Sequence, residues 1–203
     1  MSQYRLAFHL TLACAIYAAI LWTAQQIAAH APEQAPQRLR LTAAIIAVSV
    51  LGQIYLGALV AGTDAGMAYN TWPLIDGRFV PAAGRLLFIV PAWRNFFENT
   101  LTVQFDHRML AYAIWSLAIL HVFDAWRQQR AARGAIMLAG VVTVQAALGI
   151  VTLLYQAPLA LALVHQLMAM VVFSVAIVHA ERLSHRAVTR VPAWHFDVVS
   201  GTQ

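Results

Sequence analysis

Gln104-Phe105-Asp106-His107-Arg108-Met109-Leu110 opens an apolar run that continues to Trp126. A bilayer crossing takes about 20 apolar residues, and this run is long enough. Its first turns carry an acid, a histidine and an arginine side by side. Such groups at the mouth of a membrane helix are costly unless they have a partner or a task. A second histidine, His165 in Leu161-Ala162-Leu163-Val164-His165-Gln166-Leu167, stands at a similar depth in the last apolar run. The chain therefore reads as a membrane helix bundle with His107 and His165 as its internal landmarks.

The composition agrees. Of 203 residues 61% are hydrophobic and 10% charged, with a mean hydropathy of +0.67. That is too apolar for a soluble domain of this size. Every basic residue is arginine, and these are scattered between apolar runs. The net charge of +5 therefore does not form a nucleic-acid surface. Cys14 is the single cysteine, so no intrachain disulfide forms, and its apolar surroundings predict a packed thiol. The first apolar run is long enough to span and shows no cleavage site, so it reads as a helix rather than a signal peptide.

Five runs qualify as spans: 4–29, 41–62, 101–126, 135–154 and 159–180. In lipid each must be a helix, because no water is there to satisfy backbone groups. The fold class is an all-α integral membrane protein with five transmembrane helices, the last four forming a four-helix bundle. Arg38 and Arg40, then Arg127, Arg130 and Arg133, then Arg182, Arg186 and Arg190 mark one side. The positive-inside rule places these segments and the C-terminus in the cytoplasm. The N-terminus and the connection 63–100 then face outward. That connection is too long for a simple turn. Its turn residues and aromatics argue for order, with 84–97 as an amphipathic segment fit for the membrane surface. Arg94 and Glu98, one turn apart, are placed to pair.

His30, His185 and His195 fall in polar segments and read as solvated. His9, His107, His121, His165 and His179 fall in or at the ends of spans. A lone intramembrane histidine is usually a hydrogen-bonded packing residue. A matched pair on two helices of one bundle is how a haem iron is held from both sides. His107 and His165 are such a pair, so His107 and His165 are candidate axial ligands. Gly52, Gly57, Gly62, Gly140 and Gly149 would let a flat ring approach a helix, or serve ordinary close packing. Arg108 would reach a haem propionate or pair with Asp106, and Asp106 would otherwise orient a histidine or be solvated. His121 and His179 each follow their partner by fourteen residues, about 21 Å along a helix. That spacing suits either a second haem or two histidines at the cytoplasmic end, near Asp124 and Glu181, hydrogen-bonded or snorkelling. Arg5-Leu6-Ala7-Phe8-His9-Leu10 echoes the setting of His165.

Ser2-Gln3-Tyr4-Arg5-Leu6-Ala7-Phe8-His9-Leu10, Gly57-Ala58-Leu59-Val60-Ala61-Gly62-Thr63-Asp64-Ala65-Gly66, Arg94-Asn95-Phe96-Phe97-Glu98-Asn99, Gln104-Phe105-Asp106-His107-Arg108 and His165-Gln166 resemble, in this order, the C-terminal part of the haem A synthase family. The match is to the branch shared by alphaproteobacteria and mitochondria, and it extends to about Arg182. The resemblance implies two four-helix bundles in the full family architecture. It implies oxidation of the methyl group of haem O to the formyl group of haem A, in cytochrome oxidase cofactor biosynthesis. It implies a haem b between His107 and His165, with Arg108 beside it, and a substrate haem for which His9 supplies one iron ligand.

On that reading 1–30 is the last helix of a substrate bundle, 41–182 the haem b bundle with its outer loop at 63–100, and 183–203 a cytoplasmic tail. The family's first three helices have no counterpart, nor does the glutamate three residues before the other substrate-site histidine. Here Gln104 stands three before His107. The expectation is a chain that binds haem b but does not make haem A alone, so its catalytic residues are left unassigned. Expected partners are haem O, a neighbouring haem O synthase, the lipid bilayer of the cell inner membrane, and a second copy in a homo-oligomer. The competing reading is a dihaem b-type electron-transfer cytochrome. A transporter half fits less well, because the spans lack buried carboxylate pairs.

Overall fold

A computed structural model describes residues 2–28, 33 and 35–184. His30, His185, His195, Arg186, Arg190 and nearly all of the tail lie outside the described residues. Five long helices carry the architecture: α1 (Gln3–Ile27), α2 (Gln37–Gly62), α5 (Thr100–Arg127), α6 (Ala132–Leu154) and α7 (Leu159–Ser184). Two short ones, α3 (Ala83–Leu86) and α4 (Asn95–Glu98), lie in the long connection. All five long helices are long and apolar enough to cross a membrane, as the sequence predicts. With its family placement below, the chain is a multi-pass membrane protein.

The last four form a closed ring. α2 packs on α5 and α7, and α6 packs on the same two, so α5 and α7 stand diagonally across the bundle. α1 lies outside the ring, against α2 and α7. Its contact stripe runs through Ala7 and Cys14, both buried. The thiol of Cys14 is packed as expected, 3.8 Å from Met170 Sδ. Gly62 permits the close approach of α1 to the end of α2. A Cβ there would lie 2.7 Å from Gln3 Cβ and 2.8 Å from Gln3 Cα.

The bundle is built twice from one plan. A single offset carries Thr42, Ala43, Ile46, Val50, Gln53 and Gly57 of α2 onto Gly134, Ala135, Leu138, Val142, Gln145 and Gly149 of α6. Another carries His107, Ile114, Ala118 and His121 of α5 onto His165, Val172, Ala176 and His179 of α7. The matched apolar residues are buried on both sides of the repeat. They close the core at the end away from the long connection, where Ile46, Val50, Ile114, Leu138, Val142 and Phe173 meet. Close-packed interiors have few voids, so this half is solid. Toward the connection the inner faces loosen: Gln53, Gly57, His107, Gln145, Gly149 and His165 are all only half-buried.

The connection is ordered, and a network of asparagines orders it. Asn99 Oδ1 accepts from the Leu101 amide at 3.0 Å and so caps α5. Its Nδ2 donates to the Arg85 and Leu86 carbonyls at 2.9 and 3.1 Å. Asn95 exchanges two bonds with Ile89, donating to its carbonyl at 2.9 Å and accepting from its amide at 3.1 Å. These satisfy groups that a loop would otherwise leave bare. The stretch 84–97 is not one amphipathic segment. Pro91 lacks an N–H and biases Val90 away from helix, so the chain breaks between α3 and α4. Its aromatics still face outward, with Phe88, Trp93 and Phe96 exposed.

Candidate functional site

Two turns into α5 and two turns into α7, His107 and His165 enter the loosened half of the bundle from diagonal helices. Each rests on the neighbouring helix of its own pair, and in each case on a glycine. A Cβ on Gly57 would lie 3.3 Å from His107 Cε1, and one on Gly149 would lie 2.9 Å from His165 Cε1. One turn before each glycine stands a glutamine. Gln53 Nε2 donates to the His107 carbonyl at 2.9 Å and lies 3.1 and 3.2 Å from the two ring nitrogens. Gln145 Nε2 donates to the His165 carbonyl at 3.1 Å and lies 3.5 Å from His165 Nε2.

This geometry leaves polar atoms with no partner among the described residues. Gln53 Oε1, Gln145 Oε1, His165 Nδ1 and Tyr112 Oη are enclosed and make no hydrogen bond. Buried polar groups are normally paired, so the three orphans of the Gln53–His107 and Gln145–His165 pairs mark a place built for something else. Half-buried imidazoles on diagonal helices, glycine cradles and apolar walls can hold a planar metal-bearing cofactor by both faces of its metal. The same description does not fit the second histidine pair. His121 and His179 are buried, and their Nε2 atoms are 2.8 Å apart, joined directly by a hydrogen bond. Thr42 Oγ1 lies 2.8 Å from His121 Nδ1. No flat ring fits between them in this arrangement, and the packed core surrounds them. Asp124 instead pairs with Arg38, through both guanidinium Nε and NH2.

Arg108 turns away from His107 and holds the connection. Its NH1 donates to the Thr71 carbonyl at 2.8 Å and its NH2 to the Tyr69 carbonyl at 2.9 Å. NH2 also meets Gln104 Oε1 at 2.7 Å, and Gln104 Nε2 donates to the Ala65 carbonyl at 2.6 Å. These partners stand in place of Asp106. Nε of Arg108 makes no hydrogen bond among the described residues. Gln104, three residues before His107, is thus a buried fastener of the chain turn at Asp64, which takes a left-handed conformation with φ of 53°. His9 is exposed on the face of α1 turned from the bundle, its Nδ1 3.2 Å from the Arg5 carbonyl.

The loop is also tied to α1. Arg94 pairs with Glu98 as its spacing predicts, NH2 to Oε2 at 2.6 Å. Tyr4 of α1 donates to Glu98 Oε1 at 2.7 Å. The Arg94 guanidinium first, and the Tyr4 hydroxyl second, hold the Glu98 carboxyl below the usual glutamate range. Sequence reasoning passed over Gln53 and Gln145. The signal was present: Gln53-Ile54-Tyr55-Leu56-Gly57 and Gln145-Ala146-Ala147-Leu148-Gly149 are the same glutamine–glycine spacing on two helices.

The chain is similar to known proteins over most of its length. The chain is 55% identical over 188 residues to a protein named heme A synthase from Bradyrhizobium diazoefficiens, covering 92% of this chain and 52% of that one. A heme A synthase from Rhodopseudomonas palustris (strain TIE-1) is 57% identical over 183 residues, 89% of this chain and 50% of its own length. One from Azorhizobium caulinodans is 51% identical over 189 residues, 93% and 54% respectively. The chain spans about half the length of these curated relatives. The pattern of the COX15-CtaA family, described as cytochrome oxidase assembly protein, matches residues 1–177. With nearly nine-tenths of its length inside that pattern, this five-helix chain belongs to the COX15-CtaA family of cytochrome oxidase assembly proteins.

Proposed function

We propose that this chain is the haem b-binding part of a haem A synthase of the cell inner membrane. The observation that carries the reading is the pair His107 and His165, set on diagonal helices over two glycines, in the half of the bundle where the core is loose and polar atoms lack partners. A haem bound there supplies reversible one-electron transfer. The chain's own residues do the rest. His107 and His165 would hold the haem iron. Gly57 and Gly149 let the imidazoles sit back against the helices. Arg108 and Gln104 latch the connection over the site and limit water, and Arg108 Nε remains available to a propionate.

The activity served is the oxidation of the haem O methyl group to the formyl group of haem A, which makes the enzyme an oxidoreductase. His9, on the exposed face of α1, is assigned as a ligand of the substrate haem. A haem O synthase is the assigned donor, and the free face of α1 is where a second copy would pack. The arginine pattern places the connection outside and the C-terminus in the cytoplasm.

Absorption spectroscopy of the detergent-purified protein tests the reading. Wild type carries one low-spin b-type haem per chain by pyridine haemochrome. His107→Ala and His165→Ala each lose it, and His121→Ala keeps it. A dihaem cytochrome is the second reading, because the repeat places His121 and His179 on the same helix pairs. Two haems per chain, one of them lost in His121→Ala, would establish it instead. An unaltered spectrum in His107→Ala overturns the first reading.

A further inference from the structure

The repeat supplies each proposed ligand with the same neighbour. Gln53 and Gln145 occupy equivalent places on α2 and α6, each one turn before the glycine on which its histidine rests. Each uses Nε2 to hold the main-chain carbonyl of that histidine, at 2.9 Å for His107 and 3.1 Å for His165. Each also leaves its Oε1 enclosed and without a donor. An amide oxygen buried without a donor costs about 1–3 kcal/mol. Two equivalent ones, in both copies of a repeat, call for two equivalent donors. On the histidine whose carbonyl Gln145 holds, the ring nitrogen Nδ1 is enclosed and has no partner among the described residues either.

A histidine that gives one ring nitrogen to a metal is neutral and carries its proton on the other. That N–H is the donor these oxygens lack. We propose that Gln53 and Gln145 are positioning residues for the two ligand imidazoles. Each amide fixes its histidine at two points, the main-chain carbonyl through Nε2 and, through Oε1, the N–H of whichever ring nitrogen is not given to the metal. The inference rests on the reading of His107 and His165 as haem ligands.

The choice of glutamine has a chemical consequence. A carboxylate partner draws that ring proton and makes the imidazole a stronger electron donor, which favours ferric over ferrous iron. A neutral amide accepts the same bond without adding charge to an apolar interior. Two amides therefore hold both rings firmly while keeping the ferrous state accessible. His121 and His179 have no such amide: His121 meets Thr42, and the two rings bond to each other.

The test is a redox titration and haem titration of the purified protein with Gln53→Leu, Gln145→Leu, Gln53→Glu and Gln145→Glu. The leucine variants are expected to weaken haem affinity about 10- to 100-fold and to change the low-spin electron paramagnetic resonance signal as the rings lose their fixed planes. The glutamate variants keep an acceptor. They are expected to retain haem with a midpoint potential shifted to lower values. Thr42→Val serves as the packing control and leaves the potential unchanged. A wild-type protein that binds no bis-histidine haem removes the underlying reading. A wild type that binds haem, with all four glutamine variants matching it in affinity, signal and potential, overturns this inference alone. So does a loss of thermal stability in the leucine variants with no change in the haem signal.

Discussion

Gly149 and Gly57 differ by a few tenths of an ångström in how closely they hold their histidines. A Cβ at Gly149 falls inside the limit for real contacts with the His165 ring, and one at Gly57 only approaches it. Gly149→Ala should therefore displace its imidazole and weaken haem binding about tenfold, and Gly57→Ala should do so less. A haem titration of the two variants checks the order; equal affinities would contradict it. Gly62 is a different case. Its neighbour is the backbone of Gln3, which has no rotamer to change. Gly62→Ala must push α1 off α2, at a cost of about 1–3 kcal/mol. A lowered thermal midpoint in detergent, with the haem spectrum intact, is the expected result.

At the level of elements, α4 is the joint between α1, the long connection and α5. Asn99 both caps α5 and holds two carbonyls of the loop. Asn99→Ala removes the cap and strands those buried carbonyls, a loss of about 1–3 kcal/mol. Protease sensitivity at Arg85 and Arg94 should rise in that variant. The Tyr4–Glu98–Arg94 link adds a pH response. Glu98 is held below its ordinary range when folded, so its contribution is present at neutral pH. It is lost as pH falls through the depressed value, when the carboxyl takes a proton. Protection factors for hydrogen exchange across residues 93–99, taken against the intrinsic rate at each pH, should therefore fall in acid. Glu98→Gln should show low protection there already at neutral pH and little further loss in acid.

For the whole molecule, the spans and the arginine pattern make a prediction about sidedness. In a Cys14→Ala background, a cysteine at Ala82 in the connection should react with a membrane-impermeant maleimide in intact cells. One at Gln128, between α5 and α6, should react only after lysis. The opposite pattern would invert the assigned orientation.

Five spans and their helical state were legible in the sequence because lipid permits few alternatives to a helix for an apolar run of that length. The depth of His107 and His165 was legible for the same reason, since residue number along a helix is height in the membrane. The pairing of Arg94 with Glu98 followed from helical spacing alone. What the linear order could not decide is who stands beside whom. That α5 and α7 are diagonal, that His121 and His179 close on each other while His107 and His165 do not, and that Arg108 reaches the loop carbonyls all depend on how helices rotate and pack. Those choices are set by side-chain volume summed over the whole core, such as Phe173 and Ile114 at one end and two glycines at the other. Such a sum belongs to the assembled bundle and to no single stretch of sequence.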